Sequence, residues 1–434
     1  MYHQSYRERL LASPMSRFQI TAVAMVIALC ALDGFDVFAI TFAIPEIERE
    51  WRVGKTELGM VLSAGLLGMA IGSLFIAPLA DLWGRRRVLI PSLAVVTAGT
   101  AWSSMASGPL DLGLSRLTTG IGIGAMIAII NPLAAEYANA RRRDLCVTLL
   151  NLGFPAGAIA GGMIAAWILP QFGWRALFLW ATVLGAVMLL LSIRWLVEPI
   201  ASVLARPSEN TLERANAYLA LCNQPLLAAL PERAAKDKEP SALSLLRRPD
   251  MAVVTLYVMT IYFLYVVSLF YIQSWIPSMV VGAGFDPSQA ARVSVWMNIG
   301  GILGGLTLGM LSERIGLKYC VALAFTGGAL TIGAFGLVPV QIGIFMATGA
   351  LLGFFTIGGM AGLYAVVSRS FPAEARASGT GLVIGIGRLG SAIAPTVAGL
   401  LFALGFGRSS VSIVMAVPAL IAASMLLRVK MRKD

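Results

Sequence analysis

Apolar residues run through this chain in long blocks broken by short polar turns. A helix needs about 20 predominantly apolar residues to cross a bilayer core. Blocks of that length occupy 18–44, 57–80, 88–106, 110–135, 144–169 and 174–197, then 251–281, 287–312, 318–338, 339–367, 377–404 and 409–427. The pattern predicts twelve membrane-spanning helices, six on each side of one long polar stretch. The least marked boundary is at Val338–Val340, where almost no polar turn intervenes. Within the polar stretch, "SENTLERANAYLALC" (Ser208 to Cys222) has a Ser/Asn start and predicts an amphipathic surface helix. The expected organisation is therefore an N-terminal arm (1–17), a six-helix bundle (18–197), a linker (198–250), a second six-helix bundle (251–427) and a tail (428–434).

The net charge of +11 changes the picture only through its placement. If the N-terminus is cytoplasmic, most of the 33 basic residues fall on the cytoplasmic side. These include Arg85–Arg87, Arg141–Arg143, Arg314, Lys318, Arg369, the linker cluster and the tail. That bias orients both termini to the cytoplasm and marks contact with a lipid bilayer, not with nucleic acid. The first apolar run is too long for a signal-peptide core and reads as a retained span. Composition agrees: 58% of residues are hydrophobic and 13% charged, with a mean hydropathy of +0.81.

Several chemistries are disfavoured. The four cysteines (Cys30, Cys146, Cys222 and Cys320) lack metal-ligand spacing, and the single histidine is His3. A metal centre or a histidine-based catalytic triad is not expected, nor any other enzyme site. No phosphate-binding GxxxxGK[ST] loop occurs, so coupling to ATP within this chain has no basis. No cofactor is expected.

The two halves carry a repeat. "APLADLWGRRR" (Ala77–Arg87) follows the second block and "GMLSERIGLKY" (Gly309–Tyr319) follows the eighth. Both read small–x–x–x–acid–x–x–Gly–x–basic. The glycine permits a sharp turn and the small residue a close helix approach. The acid can face the N-terminal end of a neighbouring helix, and the basic residues hold the turn in the cytoplasm. Asp81, Gly84, Arg85, Arg86, Glu313, Gly316 and Lys318 are thus candidates for a cytoplasmic gating motif.

These motifs, with "SRLTTGIGIG" (Ser115–Gly124) on the fourth block and the six-plus-six plan, resemble the major facilitator superfamily over nearly the whole chain. One departure is Ala77, where the family usually has glycine; another is Leu317 at the first basic position of the second copy. "DGFD" (Asp33–Asp36) and "GIGRLGSAIAP" (Gly385–Pro395) further resemble the aromatic acid:proton symporters. That resemblance implies bacterial import of aromatic carboxylates such as benzoates, with a monomer as the default. On the fifth block, "GFPAGAIAGG" (Gly153–Gly162) has the glycines of the drug-antiporter GxxxGPxxGG pattern but Ala158 at its proline position. This counts against an antiporter, although the glycines alone can serve close packing.

Charges inside spans are the candidate site. An ionised aspartate at a helix centre costs about 2.5–3.5 kcal/mol even on lenient insertion scales. Asp33 and Asp36, three residues apart on one helix face, are either proton-exchanging groups or structural partners of an arginine. The resemblance assigns the fourth-span arginine, Arg116, to proton transfer, as partner of Asp33 or Asp36. Arg388 has no acid in the interior of the C-terminal spans and is the candidate for the substrate carboxylate. Tyr257 and Tyr265 on the seventh block, Asn298 on the eighth, Asn151 on the fifth and Tyr364 on the tenth are candidates for the rest of the pocket. Transporters of other organic anions (dicarboxylates or shikimate-like acids) and drug or metabolite:proton antiporters remain alternatives.

Overall fold

The computed structural model describes residues 6–206, 209–230, 249–371 and 376–428, which form helices and turns with no strand among them. His3, the linker cations Arg233, Lys236, Lys238, Arg247 and Arg248, and the tail 429–434 lie outside the described residues.

Eleven described helices are long and apolar enough to cross a membrane. The 53-residue helix Arg143–Trp195 is broken by non-helical backbone at Gly173 (φ 71°, ψ 177°). It thus supplies spans five and six, which makes twelve. Span one is Arg17–Trp51, entered through a capping box in which Ser16 and Gln19 satisfy each other's backbone N–H. Span two runs Lys55–Trp83, with a π-helical turn at Gly72–Ile76. Spans three and four are Arg85–Met105 and Pro109–Tyr137.

The second half repeats the plan. Spans seven to twelve are Pro249–Gly282, Pro287–Ile315, Leu317–Leu337, Ile342–Arg369, Arg376–Ala403 and Arg408–Leu426. The weakly marked boundary near Val338 is a turn after Leu337, with Gln341 at the N-cap position of span ten. The expected linker helix is present as Thr211–Leu221, with Ala215, Tyr218 and Leu219 buried against the first bundle.

Glycine sets the packing within both bundles. A Cβ at Gly72 would lie 2.0 Å from the Ile121 carbonyl oxygen, drawing spans two and four together. A Cβ at Gly304 would lie 2.0 Å from the Phe354 carbonyl oxygen, and spans eight and ten are the equivalent pair. The "GFPAGAIAGG" glycines likewise pack helices. Gly157 approaches Ala31 and Gly153 approaches Ile27 and Cys30 of span one, while Gly162 meets Val295 of span eight.

The turns bearing Arg85–Arg87 and Arg314 define a basic face, and the turns near Lys55 and Arg408 lie at the opposite face. The bundles meet mainly in the half toward that opposite face. There the Ser63 and Thr396 hydroxyls are 2.7 Å apart, and Thr396 Oγ1 donates to the Gly59 carbonyl at 3.2 Å. Span eight lies against span five in the same half through Ala291, Val295 and Gly162. In the basic half, Asn131 and Asn151 of the first bundle and Tyr364 of the second are exposed within their spans. The seam between the bundles is thus held toward the opposite face.

Candidate functional site

Span one carries the two carboxylates at its middle, and the structure separates them. A Cβ at Gly34 would fall 2.0 Å from the Phe154 carbonyl oxygen, so glycine is required where spans one and five cross. Asp36 points into its own bundle. Its Oδ2 accepts from Arg116 Nη2 at 2.7 Å and its Oδ1 from Nη1 at 3.2 Å, a two-pronged ion pair. Nη2 also donates to the Asp36 carbonyl at 3.2 Å, and Thr100 Oγ1 donates to Oδ1 at 3.3 Å. Both side chains are almost fully enclosed, at 3% and 2% exposure. The Phe178 ring lies 5.6 Å from the guanidinium. Of the two carboxylates allowed by the sequence, Asp36 is the one Arg116 holds.

Asp33 is as deeply buried, at 1% exposure. Neither of its oxygens has a hydrogen-bond partner among the described residues. Its charged neighbours are Asp36 and Arg388 of span eleven, which belongs to the other bundle. Asp33 and Arg388 act on each other electrostatically without forming an ion pair, and Arg388 Nη1 is itself buried and unpartnered. Two complementary groups with unmet hydrogen bonds thus flank the boundary between the bundles.

Arg388 is next to Tyr262 of span seven. The guanidinium is within interaction reach of the Tyr262 hydroxyl, which also donates to the Tyr364 hydroxyl at 3.5 Å. The two rings meet edge to face, 6.2 Å apart. Gly387 makes room for this arrangement, since a Cβ there would lie 2.2 Å from Tyr262 Cδ1. Tyr364 is 40% exposed.

Tyr257 and Tyr265, the span-seven candidates, face elsewhere. Tyr265 donates to the Thr356 carbonyl at 2.5 Å and stacks on Phe325 at 3.7 Å. Tyr257 donates to the Met425 carbonyl at 3.0 Å. Both hydroxyls are engaged inside the second bundle, and it is Tyr262 that lies beside Arg388. Asn298 is buried, with Nδ2 donating to the Ser294 carbonyl at 2.9 Å and Oδ1 unpartnered among the described residues. Asn151 is exposed on span five.

At the basic face, Gly84 (φ 113°) lets the chain turn between spans two and three. The backbone N–H groups of Arg85 and Arg86 then donate to Glu198 at 2.7 and 2.9 Å. The Arg85 side chain pairs with Glu136 at 2.7 Å, and Arg86 Nη2 donates to the Ile193 carbonyl at 2.7 Å. Glu136 and Glu198 were not singled out in the sequence; their positions at span ends beside a basic turn were the available signal. Asp81 is exposed. The second copy turns at Gly316 (φ 87°), with Glu313 exposed and Lys318 half-buried beside it.

Two bundles of six spans, a glycine-turn repeat and a charged site at mid-span depth define a multi-pass membrane transporter. The family model of the Major Facilitator Superfamily matches residues 26–307 and 258–434, and the chain belongs to that superfamily. Among curated relatives, it is 28% identical to a gallate transporter of Pseudomonas putida, covering 94% of this chain and 91% of the relative. It is 28% identical to a 4-hydroxybenzoate transporter of the same species, covering 94% and 92%. It is also 29% identical to a 3-(3-hydroxy-phenyl)propionate transporter of Escherichia coli K12, covering 91% and 90%.

Proposed function

We propose that this protein imports aromatic carboxylates together with protons, working by alternating access as a monomer in a bacterial inner membrane, with its basic face and both termini cytoplasmic. The observation that carries the reading is the pair of unmet charges, Asp33 and Arg388, on opposite bundles. The names of the three relatives support an aromatic acid as substrate.

The mechanism follows from charge balance. An unpaired ion buried at the bundle boundary opposes closure, because its desolvation is not repaid. In the empty carrier, Asp33 and Arg388 compensate each other. In the loaded carrier, the substrate carboxylate takes Arg388 and a proton neutralises Asp33. Both states close. A carrier with substrate but no proton leaves Asp33 uncompensated, and one with proton but no substrate leaves Arg388 uncompensated. Coupling is the exclusion of those two half-loaded states. Asp36, already satisfied by Arg116 and Thr100, fixes span one against span four and keeps Asp33 aimed at the boundary. Tyr262 and Tyr364 supply an aromatic wall and hydroxyls beside Arg388.

The experiment is uptake into proteoliposomes of labelled benzoate, 4-hydroxybenzoate, gallate and an aliphatic dicarboxylate under an imposed inward proton gradient. Gradient-driven accumulation of the aromatic acids, lost in Arg388→Gln, is the expected result. Selective uptake of the dicarboxylate would reject the substrate class, and indifference to the gradient would reject the coupling.

A further inference from the structure

The geometry points to a second site for an aromatic carboxylate, at the opposite face and separate from the Asp33–Arg388 boundary. The ligand class rests on the proposed function; the cavity does not. A space of about 510 Å³ lies there, lined by Lys55, Trp275, Ser278, Met279, Phe402 and Arg408 among others. It has the volume of a small-ligand pocket.

Its polar groups ask for an anion. Arg408 Nη2 donates to the Val338 carbonyl at 2.7 Å, but Nη1 is buried and has no hydrogen-bond partner among the described residues. Ser278 is 5% exposed and its Oγ is likewise unpartnered. A guanidinium cannot shed its charge, so its unmet donor is satisfied best by an acceptor that brings negative charge. Lys55 stands at the rim and is already paired with Glu48 at 2.6 Å, which leaves Arg408 as the cation without a carboxylate partner among the named lining residues.

Its walls ask for a flat apolar body. Trp275 and Phe402 stand with ring centroids 5.0 Å apart and planes inclined by 49°. The indole N–H is committed to the Pro395 carbonyl at 3.1 Å, so the ring presents its apolar surface. Carboxylate toward Arg408 and Ser278, ring against Trp275 and Phe402, is the arrangement these groups accept.

The site also has a consequence for transport. Lys55 comes from span two of the first bundle, whereas the other residues named come from the second. The cavity therefore exists in this form only while the bundles are closed at the opposite face. A ligand bound there holds that seam shut, so high external substrate should slow uptake.

The test is equilibrium dialysis of labelled benzoate and 4-hydroxybenzoate against the purified full chain and its Arg388→Gln, Arg408→Gln and Ser278→Leu variants. Wild type is expected to bind two equivalents and each variant one. Ser278→Leu fills the cavity while removing no hydrogen bond, so its loss of one equivalent is not explained by breaking the Arg408–Val338 tie. One equivalent in wild type, abolished by Arg388→Gln and untouched by Ser278→Leu, overturns the second site and leaves the proposed function standing. Conversely, one equivalent retained in Arg388→Gln but lost in both other variants upholds the second site and counts against the central one. Equal binding of uncharged benzamide at the Arg408 site would overturn the carboxylate assignment.

Discussion

Asp33 and Arg388 act on each other across the boundary between the two bundles, with both Asp33 oxygens and Arg388 Nη1 left without hydrogen-bond partners among the described residues. Three residues along the same helix, Asp36 is held by two prongs of Arg116. The two carboxylates of one short motif therefore face different problems. One completes its own bundle; the other faces the second bundle.

The fixed pair should behave as structure. Breaking a buried ion pair by removing one partner costs about 3–5 kcal/mol. Asp36→Asn and Arg116→Gln should each lower the thermal unfolding midpoint of the detergent-solubilised protein. The double variant should recover part of the loss, because no unpaired charge remains. Losses that simply add would show that the two side chains are not energetically coupled.

On the proposed mechanism Asp33 alone exchanges the proton, so one proton should accompany each monovalent acid. The loaded step is then electroneutral. In proteoliposomes, a pH gradient should drive uptake, and an imposed potassium-diffusion potential without a pH gradient should leave the initial rate unchanged. Acceleration by an inside-negative potential would mean that a second proton travels.

Span seven offers a direct comparison between two tyrosines. Removing one hydroxyl hydrogen bond costs about 0.5–1.5 kcal/mol. Tyr262→Phe, beside Arg388, should raise the KM for uptake by roughly two- to tenfold on that basis. Tyr265→Phe loses its bond to the Thr356 carbonyl, so it should lower stability by a similar free energy and leave KM unchanged. A larger KM effect from Tyr265→Phe would return that residue to the pocket.

The basic-face turns should differ in tolerance. At Gly84 (φ 113°) a Cβ would meet Arg206 Nη1 at 2.7 Å and Glu198 Oε1 at 3.0 Å. At Gly316 (φ 87°) it would meet only Tyr319 Cδ2, at 3.8 Å. Backbone strain alone costs about 1–3 kcal/mol at such positions. Both alanine variants should be destabilised, and Gly84→Ala more so, because it also disturbs the Glu198 cap. Unfolding midpoints of the two variants check the order.

The sequence made the spans legible because a bilayer demands continuous apolar length, and no tertiary contact can waive that demand. Charged residues inside spans stood out for the same reason, so Asp33, Asp36, Arg116 and Arg388 could be picked out before any contact was known. Their pairing could not. A three-residue step turns a helix most of the way round, and whether Asp33 or Asp36 meets Arg116 depends on how span one rotates where Gly34 crosses span five. Span seven is apolar on all sides, so nothing in its pattern says which face packs inward, and Tyr265, nearest the middle of the span, looked better placed than Tyr262. Glu198 was hidden for another reason: its partners are backbone N–H groups more than a hundred residues earlier, a contact that no local spacing encodes.

The central claim is that Asp33 carries the coupled proton. Asn at this position imitates the protonated, substrate-loaded carrier but leaves Arg388 without a counter-charge when the carrier is empty. The measurement is a comparison of substrate exchange with net uptake for Asp33→Asn in proteoliposomes. Exchange between equal internal and external substrate should persist near the wild-type rate. Net gradient-driven uptake should fall roughly a hundredfold, the penalty of an unpaired charge of about 2.5–3.5 kcal/mol on the empty return. Retained gradient-driven uptake in Asp33→Asn would contradict the account.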